Sequence, residues 1–217
     1  MENLILGIDC SGGMTSVALA SEEEPLGETN ALLGRRQSQV LPRMASHLLR
    51  IWNVDFQDLS AIAVTRGPGF FSGIRVGMSY ALSLAFSLGI PVISLSSLEV
   101  LAFGVALEEV PVMSLLPAKR GAYFCGAYLL RNGNFDSLEE EVFLAEEAVV
   151  EKAKKLSATN SLWCAFDSSC SQSPFFGEMP VTSVKTYIQG LRLVSLARKK
   201  KTENPEEVHP SYLRITW

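Results

Sequence analysis

The residues best suited to chemistry come directly after the first apolar run of the chain. They are an acid, two hydroxyl residues and a glycine: Asp9, Ser11, Gly12 and Thr15. An aspartate beside a glycine turn and hydroxyl groups can hold a phosphate and its Mg²⁺ ion, but a nucleotide-cleaving site also needs an acid from a second loop. An aspartate at such a place also caps the turn that follows a strand. We favour the capping role and treat the four residues as a vestigial nucleotide site.

A second glycine-rich turn follows the apolar run of residues 61–65 and leads into a helix. Its characteristic residues are Arg66, Gly67, Pro68, Gly69, Gly73 and Arg75. Free backbone N–H groups in such a turn can bind an anion. The turn lacks the Gly-Lys-Ser/Thr of a P-loop, and its glycine spacing is one residue too long for a dinucleotide fingerprint. The sequence therefore predicts a structural turn within a βαβ unit.

The helix after this turn has large apolar residues on two opposite sides. Stripes of small residues and of serines separate these sides. A single sheet cannot cover both apolar sides of a helix. The sequence therefore predicts that a neighbouring helix or another protein covers the second side. The two large stripes are Val76, Tyr80, Leu84 and Leu88, and Met78, Leu82 and Phe86.

Metal and nucleophilic catalysis find little support in the sequence. His47 and His209 are the only histidines and are far apart in the chain, which argues against a zinc site and against a histidine-dependent protease. The four cysteines form no C-x-x-C pair and lie mostly in apolar runs, which indicates buried thiols in a reducing compartment. We therefore expect no metal site, no catalytic residue and no tightly bound cofactor.

Composition is that of an ordinary soluble globular protein, with 217 residues of which 47% are hydrophobic and 19% charged. A net charge of −4 gives no general attraction to a phosphate backbone, so any nucleic acid would be held mainly by a partner. Residues 76–98 are uncharged, but the Gly89-Ile90-Pro91 break favours a helix followed by a buried strand over a membrane span. With no basic segment at the start, we expect a cytoplasmic protein.

The order of the predicted elements points to the fold. Three strands, a helix and the βαβ unit, followed by another helix, match a ribonuclease H-like domain, the building block of actin-like (ASKHA) ATPases. A shorter series of the same kind follows and ends in a helix near residues 187–201, whose last residues, 198–201, are basic. We predict an α/β fold with two tandem ribonuclease H-like domains, residues 1–107 and 108–217, the second eroded.

Several motifs resemble those of the TsaB (YeaZ) family of bacterial proteins. The Arg66–Arg75 turn is similar to the family's R-G-P-G-S-F-T-G-[LVI]-R, and Gly89-Ile90-Pro91 is similar to its G-[IL]-P. Further matches are Asp9-Cys10-Ser11, Leu41-Pro42, Ser96-Ser97-Leu98-Glu99 and the closing P-x-Y-L-R at Pro210–Arg214. The resemblance covers the first half of the chain well and the middle of the second half weakly.

The resemblance implies a role in forming threonylcarbamoyladenosine (t6A) in tRNA, as a noncatalytic partner of the related catalytic subunit TsaD. It further implies that a TsaE-like ATPase joins the assembly, that ATP and Mg²⁺ enter only through that complex, and that tRNA is met indirectly. Homodimers through the same surface, formed by the first two helices, are implied for the isolated protein. The candidates for this interface are Val40, Leu41, Met44, Leu48, Met78, Tyr80 and Leu82.

Some positions depart from the family pattern. Phe70 stands where the family usually has Ser, and Arg36 where it often has His. Pro117 and Ala122 replace two acids of the family's D-A-R-x-G-E-V, so we expect the second domain to bring no carboxylate to a nucleotide site. The alternatives that stay open are an active ATPase or phosphotransferase of the actin-like superfamily and, ranked last, a glycopeptidase-like protease.

Overall fold

The computed structural model describes residues 3–119, 121–157, 161–170 and 181–213. The first half of the chain contains five strands and three helices. They are β1 (Leu4–Asp9), β2 (Thr15–Ala20), β3 (Pro25–Ala31), α1 (Gln37–Ile51), β4 (Leu59–Thr65), α2 (Phe71–Leu88), β5 (Val92–Leu95) and α3 (Ser97–Phe103). Strands β6 (Pro111–Pro117), β7 (Ala122–Arg131), β8 (Asn134–Ala145), β9 (Leu162–Asp167) and β10 (Val181–Thr186), with helices α4 (Glu146–Leu156) and α5 (Gly190–Ala197), make up the second half.

The two halves form two five-stranded sheets with the same topology. The first sheet has the order β3-β2-β1-β4-β5, and the second has β10-β9-β6-β7-β8. In the first sheet β1, β4 and β5 are parallel while β2 and β3 form an antiparallel meander, and the second sheet repeats this arrangement. The predicted α/β fold of two ribonuclease H-like units is confirmed.

Three apolar cores hold the layers together. Side chains of α1 and α2 pack on one face of the first sheet. Helices α3 and α5 lie between the two sheets and fill the central core from both sides. Helix α4 covers the outer face of the second sheet. The layer order is therefore helices, sheet, helices, sheet, helix.

Two helices exchange places across the boundary between the sheets. Helix α3 follows the first sheet in the chain but packs on β6, β7 and β9 of the second sheet. Helix α5 follows the second sheet but packs on β1 and β2 of the first. Gly190 at its start makes this approach possible, because a Cβ there would lie 2.8 Å from the Cβ of Ala18. The division at residues 107 and 108 stays a prediction.

Two features of the second half differ from what the sequence predicted. Strand β10 was not predicted, because its side chains alternate only weakly between buried and exposed. The last helix ends at Ala197 and not at residue 201, and three of the four basic residues that follow it, Arg198, Lys199 and Lys200, contact other parts of the fold. Lys199 Nζ donates to the Gly133 carbonyl at 2.7 Å, and Lys200 pairs with Glu99 at 2.7 Å.

Two further predictions concern membrane spans and cysteines. Across the described parts of the chain, none of the helices combines the length and apolar character needed to cross a membrane. All four cysteines, Cys10, Cys125, Cys164 and Cys170, are free and buried.

Candidate functional site

The turn after β1 is built around the buried carboxylate of Asp9. Its Oδ1 accepts hydrogen bonds from Ser11 N at 3.1 Å, Ser11 Oγ at 2.6 Å and Thr65 Oγ1 at 2.5 Å. The Oδ2 atom is buried and has no hydrogen-bond partner among the described residues. Burial raises the pKa of Asp9 from 3.8 to about 6, opposed by these hydrogen bonds, and the carboxylate of Asp167 adds to the rise. Asp9 therefore caps the turn, as the sequence indicated.

A matching turn follows β9 in the second half. The Oδ1 atom of Asp167 accepts from Ser169 N at 2.9 Å and from Ser169 Oγ, the same two-residue pattern that links Asp9 and Ser11. It also accepts from Gly13 N at 3.1 Å, across the boundary between the two halves. Its Oδ2 atom is buried without a described partner. The second half thus does bring a carboxylate to the cleft, and the expectation that it would not is wrong.

Asp167 was not predicted from the sequence, because the family motif places its acids at residues 117–122, where this chain replaces them. The signal was present in the repeated pattern of an apolar strand followed by Asp-x-Ser, at Asp9–Ser11 and at Asp167–Ser169.

The cleft between these two turns is closed by the chain itself. A Cβ on Gly12 would lie 2.7 Å from Asp167 Oδ2, and one on Gly13 would lie 2.7 Å from the Cβ of Ser169. The backbone N–H of Gly13, which could face a phosphate in a nucleotide-binding loop, already donates to the Asp167 carboxylate. The predicted nucleotide residue Thr15 is also engaged, since its Oγ1 accepts from Gln37 Nε2 at 3.0 Å.

Nucleophiles and metal ligands are scarce around the cleft. Burial raises the pKa of the Cys10 thiol, and burial raises that of Cys170 to about 11, so both thiols are protonated at neutral pH. Within the described ranges, no cluster of three or more His, Cys, Asp or Glu side chains is arranged to hold a metal ion.

The glycine-rich turn brings α2 close to the turn after β1. Phe70 N donates to the Ser11 carbonyl at 2.8 Å, and a Cβ on Gly69 or Gly73 would overlap the carbonyl oxygen of Ser11 or Cys10. Gly67 and Gly69 have φ values of 102° and 153°, which few other residues adopt. Close approach of two backbones therefore explains the glycines of this turn.

The closing motif of the chain lies against the same turn. Ser211 N donates to the Arg66 carbonyl at 2.7 Å, and a Cβ on Gly67 would lie 2.7 Å from the Ser211 carbonyl oxygen. The rings of Tyr212 and Phe71 have their centroids 5.3 Å apart. Two motifs that are distant in sequence thus form one surface, while Arg214 lies outside the described residues.

An open groove runs between α1 and α2 on the outer side of the first sheet. Its volume is about 460 Å³, and Arg75 is the only charged residue that lines it. The lining is Ser38, Leu41, Pro42, Phe71, Ser72, Arg75, Val76, Ser79 and Tyr80. Phe71 is 58% exposed at the mouth of the groove. Nothing within the described chain covers this apolar channel.

The structure corrects four of the seven predicted interface residues. They are packed in the core beneath the helices and present no surface to a partner: Leu41, Met44, Leu48 and Met78. Leu41 borders the groove but is 0% exposed. The half-buried residues Val40, Tyr80 and Leu82 stay candidates for the interface.

The orientation of α2 explains this correction. Its small residues Gly77, Ala81 and Ala85 face the sheet, because small side chains let a helix approach a sheet closely. The two large stripes therefore lie on the flanks of the helix, where most members are half-buried, and the serine stripe faces outward. Two members of these stripes differ: Met78 is buried, and Phe86 has 67% of its surface exposed.

Comparisons with known proteins agree with the motifs. A family model described as TsaD, tRNA N6-adenosine threonylcarbamoyltransferase, matches residues 31–184. The chain is 29% identical to the tRNA threonylcarbamoyladenosine biosynthesis protein TsaB of Bacillus subtilis, over 97% of this chain and 94% of that protein. It is 31% identical to the Escherichia coli protein of the same name, over 70% of this chain and 67% of the other.

A solved structure gives the same answer for the fold. YeaZ from Pseudomonas aeruginosa superimposes with a TM-score of 0.82 at 27% identity, covering 97% of this chain and all of that one. The similarity in sequence and the similarity in fold agree with the motifs. The chain therefore belongs to the TsaB (YeaZ) family, whose members are related to the TsaD transferases.

Proposed function

We propose that this chain is a noncatalytic subunit required to form t6A in tRNA. In this proposal it binds a TsaD-like catalytic subunit through the groove between α1 and α2, and a TsaE-like ATPase joins the complex. The names of the TsaB relatives, which are t6A biosynthesis proteins, support the pathway. The chain encounters ATP, Mg²⁺ and tRNA only as part of this complex. Without its partner, the chain pairs with a second copy through the same surface.

The observation that carries the proposal is the uncovered groove itself. Apolar side chains that line a channel of about 460 Å³ beside the exposed ring of Phe71 form a contiguous patch, as is typical of a protein-binding surface. Two parallel helices side by side also offer the ridges and grooves into which a partner helix packs.

The closed cleft supports a role without catalysis. Asp167 takes the Gly13 N–H, and the neighbouring thiols of Cys10 and Cys170 are protonated at neutral pH. A nucleotide would have to displace the Asp167 turn before its phosphates reached the turn after β1. The chain therefore has a surface suited to docking and a cleft that its own residues fill.

Complementation with a groove variant tests the proposal. Tyr80→Glu places a charge on the half-buried wall of the groove, and we expect it to lose both co-purification with the TsaD-like subunit and t6A in tRNA nucleosides. Leu138→Glu is the matched control, because Leu138 is 42% exposed on β8, far from the groove in the fold. Normal t6A with a folded Tyr80→Glu protein would refute the proposed docking surface.

One observation favours a second candidate, an actin-like ATPase. Two buried carboxylates, Asp9 and Asp167, each with one oxygen that lacks a described partner, face the same cleft. ATP hydrolysis by the isolated chain that disappears in Asp9→Asn would support this candidate and contradict a noncatalytic role.

A further inference from the structure

The segment that contains α1 and α2 has a charge opposite to the rest of the chain. Residues 29–98, which include both helices and strands β4 and β5, contain six arginines, no lysine and two aspartates, a net charge of +4 in a chain whose total is −4. The remaining residues, with 13 basic and 21 acidic side chains, therefore carry −8. All six arginines are exposed.

The two aspartates of this segment lie outside the helices. Asp55 and Asp58 lie in the short turn before β4, where Asp58 Oδ2 accepts from Asp55 N at 2.8 Å. Helices α1 and α2 themselves contain no acidic residue, but they carry Arg43, Arg50 and Arg75. Within the described ranges, none of these three arginines forms an ion pair with a carboxylate.

The positive ends of both helices meet at one end of the groove. Gln37 at the start of α1 donates to the Cys10 carbonyl at 3.3 Å, and Phe70, just before α2, donates to the Ser11 carbonyl at 2.8 Å. A helix start favours carboxylates and disfavours cations, yet the first turn of each helix is free of acids. Arg36 is instead the N-terminal cap of α1, so the positive potential is concentrated there.

Arg75 connects this charge to the apolar groove. Its guanidinium carbon lies 5.4 Å from the centroid of the Phe71 ring, and the side chain lines the groove beside Val76 and Tyr80. A partner seated in the groove therefore meets apolar side chains and an unpaired cation together. Such a site is best complemented by a surface that has both apolar residues and carboxylates.

From this charge distribution we infer that the groove is built for an acidic, apolar-faced helical surface of a different protein and not for a second copy of this chain. The inference rests on the proposed function and specifies its partner: the docking surface of the catalytic subunit carries carboxylates opposite Arg75 in the groove and opposite Arg43 on the exposed face of α1. A second copy brings an equally positive layer to the interface, so its pairing is opposed by repulsion between like net charges. The homodimer forms through apolar contact despite its charges.

Salt separates these two modes of pairing. We expect the complex with the catalytic subunit to weaken by about fivefold or more between about 50 mM and about 500 mM NaCl, because salt screens exposed opposite charges. The homodimer should instead become tighter over the same range, because its repulsion is screened. Sedimentation velocity of the full chain, alone and with the purified catalytic subunit, measures both constants.

Charge-reversal variants of the arginines provide a second test of the inference. Arg43→Glu and Arg75→Glu should each weaken the mixed complex by about tenfold, and Lys155→Glu, which makes the same change of charge on exposed α4, should leave it within about twofold. Arg43 is exposed, so its variant should fold, and Arg75→Gln separates loss of charge from loss of the contact with Phe71.

Three results would overturn the inference. One is a complex with the catalytic subunit whose affinity changes neither with salt nor in the arginine variants, although Tyr80→Glu abolishes the complex. The proposed function would then still hold. Another is a homodimer that is tighter than the mixed complex at low salt. The third is tRNA binding by the isolated chain that requires Arg43 and Arg75 while the mixed complex does not, which would make RNA the anionic partner. Absence of any mixed complex would overturn both proposals.

Discussion

The cleft between the turns after β1 and β9 and the groove between α1 and α2 differ in how far the chain's own residues fill them. In the cleft, the backbone N–H of Gly13 from the first half donates to the carboxylate of Asp167 from the second half. In the groove, the apolar walls are uncovered, and Arg75 has no carboxylate partner among the described residues. The chain therefore fills the cleft with its own residues and leaves the groove open to a partner.

The largest expected effect comes from the core beneath helix α1. Leu48→Glu buries a charge in a side-chain position that is 4% exposed, and we expect it to lower the free energy of unfolding by about 4 kcal/mol or more. Urea unfolding followed by circular dichroism measures the loss. Gln39→Glu, on the exposed face of the same helix, should change stability by less than about 0.5 kcal/mol. A stable Leu48→Glu protein would show that this side chain does not pack in the core between α1 and the first sheet.

The pH dependence of stability tests the cleft. The pKa of Asp9 is 3.8 unfolded and about 6 folded, so the folded state binds the extra proton between these values. Stability from this group is therefore full below pH 3.8 and is lost as the pH rises through about 6, by about 3 kcal/mol in all. Asp9→Asn removes this pH-dependent contribution to the free energy of unfolding, because an amide does not titrate in this range. Unfolding curves of both proteins between pH 4 and pH 8 should diverge accordingly, and parallel curves would contradict the burial of Asp9.

A pair of variants at Asp167 tests the contact between the halves. Asp167→Ala leaves Gly13 N and the two Ser169 donors without an acceptor, and we expect it to cost about 2 kcal/mol. Asp167→Asn keeps one acceptor oxygen and should stay within about 1 kcal/mol of the parent. Thermal unfolding ranks the three proteins. Equal stability of the alanine variant and the parent would mean that the cleft is not held by this carboxylate.

The smallest effect on stability is expected at the open groove. Phe71 is 58% exposed and contacts Tyr212 and Arg75, so Phe71→Ser should change the free energy of unfolding by less than about 1 kcal/mol. Its effect should appear in binding of the partner, which the same preparation can measure. A large loss of stability would indicate that Phe71 belongs to the fold and not to the docking surface.

Much of the first half could be predicted from the sequence, because its elements are strongly patterned. The apolar runs that became β1, β2 and β4 are continuous, and the Arg66–Arg75 turn carries a motif of high specificity. The order of these elements was enough to identify the fold and, through it, a second half with weaker patterns of its own.

The direction that α2 faces could not be predicted from hydrophobicity. Two stripes of large residues looked like two separate surfaces, whereas close packing placed the small stripe, Gly77, Ala81 and Ala85, against the sheet. The size of the side chains determined which face of α2 contacts the sheet, and the large hydrophobic residues lie on either side of that face. Likewise Asp167 became meaningful only when the fold brought it to Gly13, since 154 residues separate the two in sequence.

The exchange of α3 and α5 between the sheets has a consequence for synthesis of the chain. When residues 4–95 have left the ribosome, one face of their sheet is still bare, because the helix that covers it, Gly190–Ala197, has not been made. This face of the first sheet therefore stays uncovered until about a hundred further residues, including α5, have been synthesised. Until then, a nascent protein of this architecture exposes an apolar sheet face that chaperones can bind.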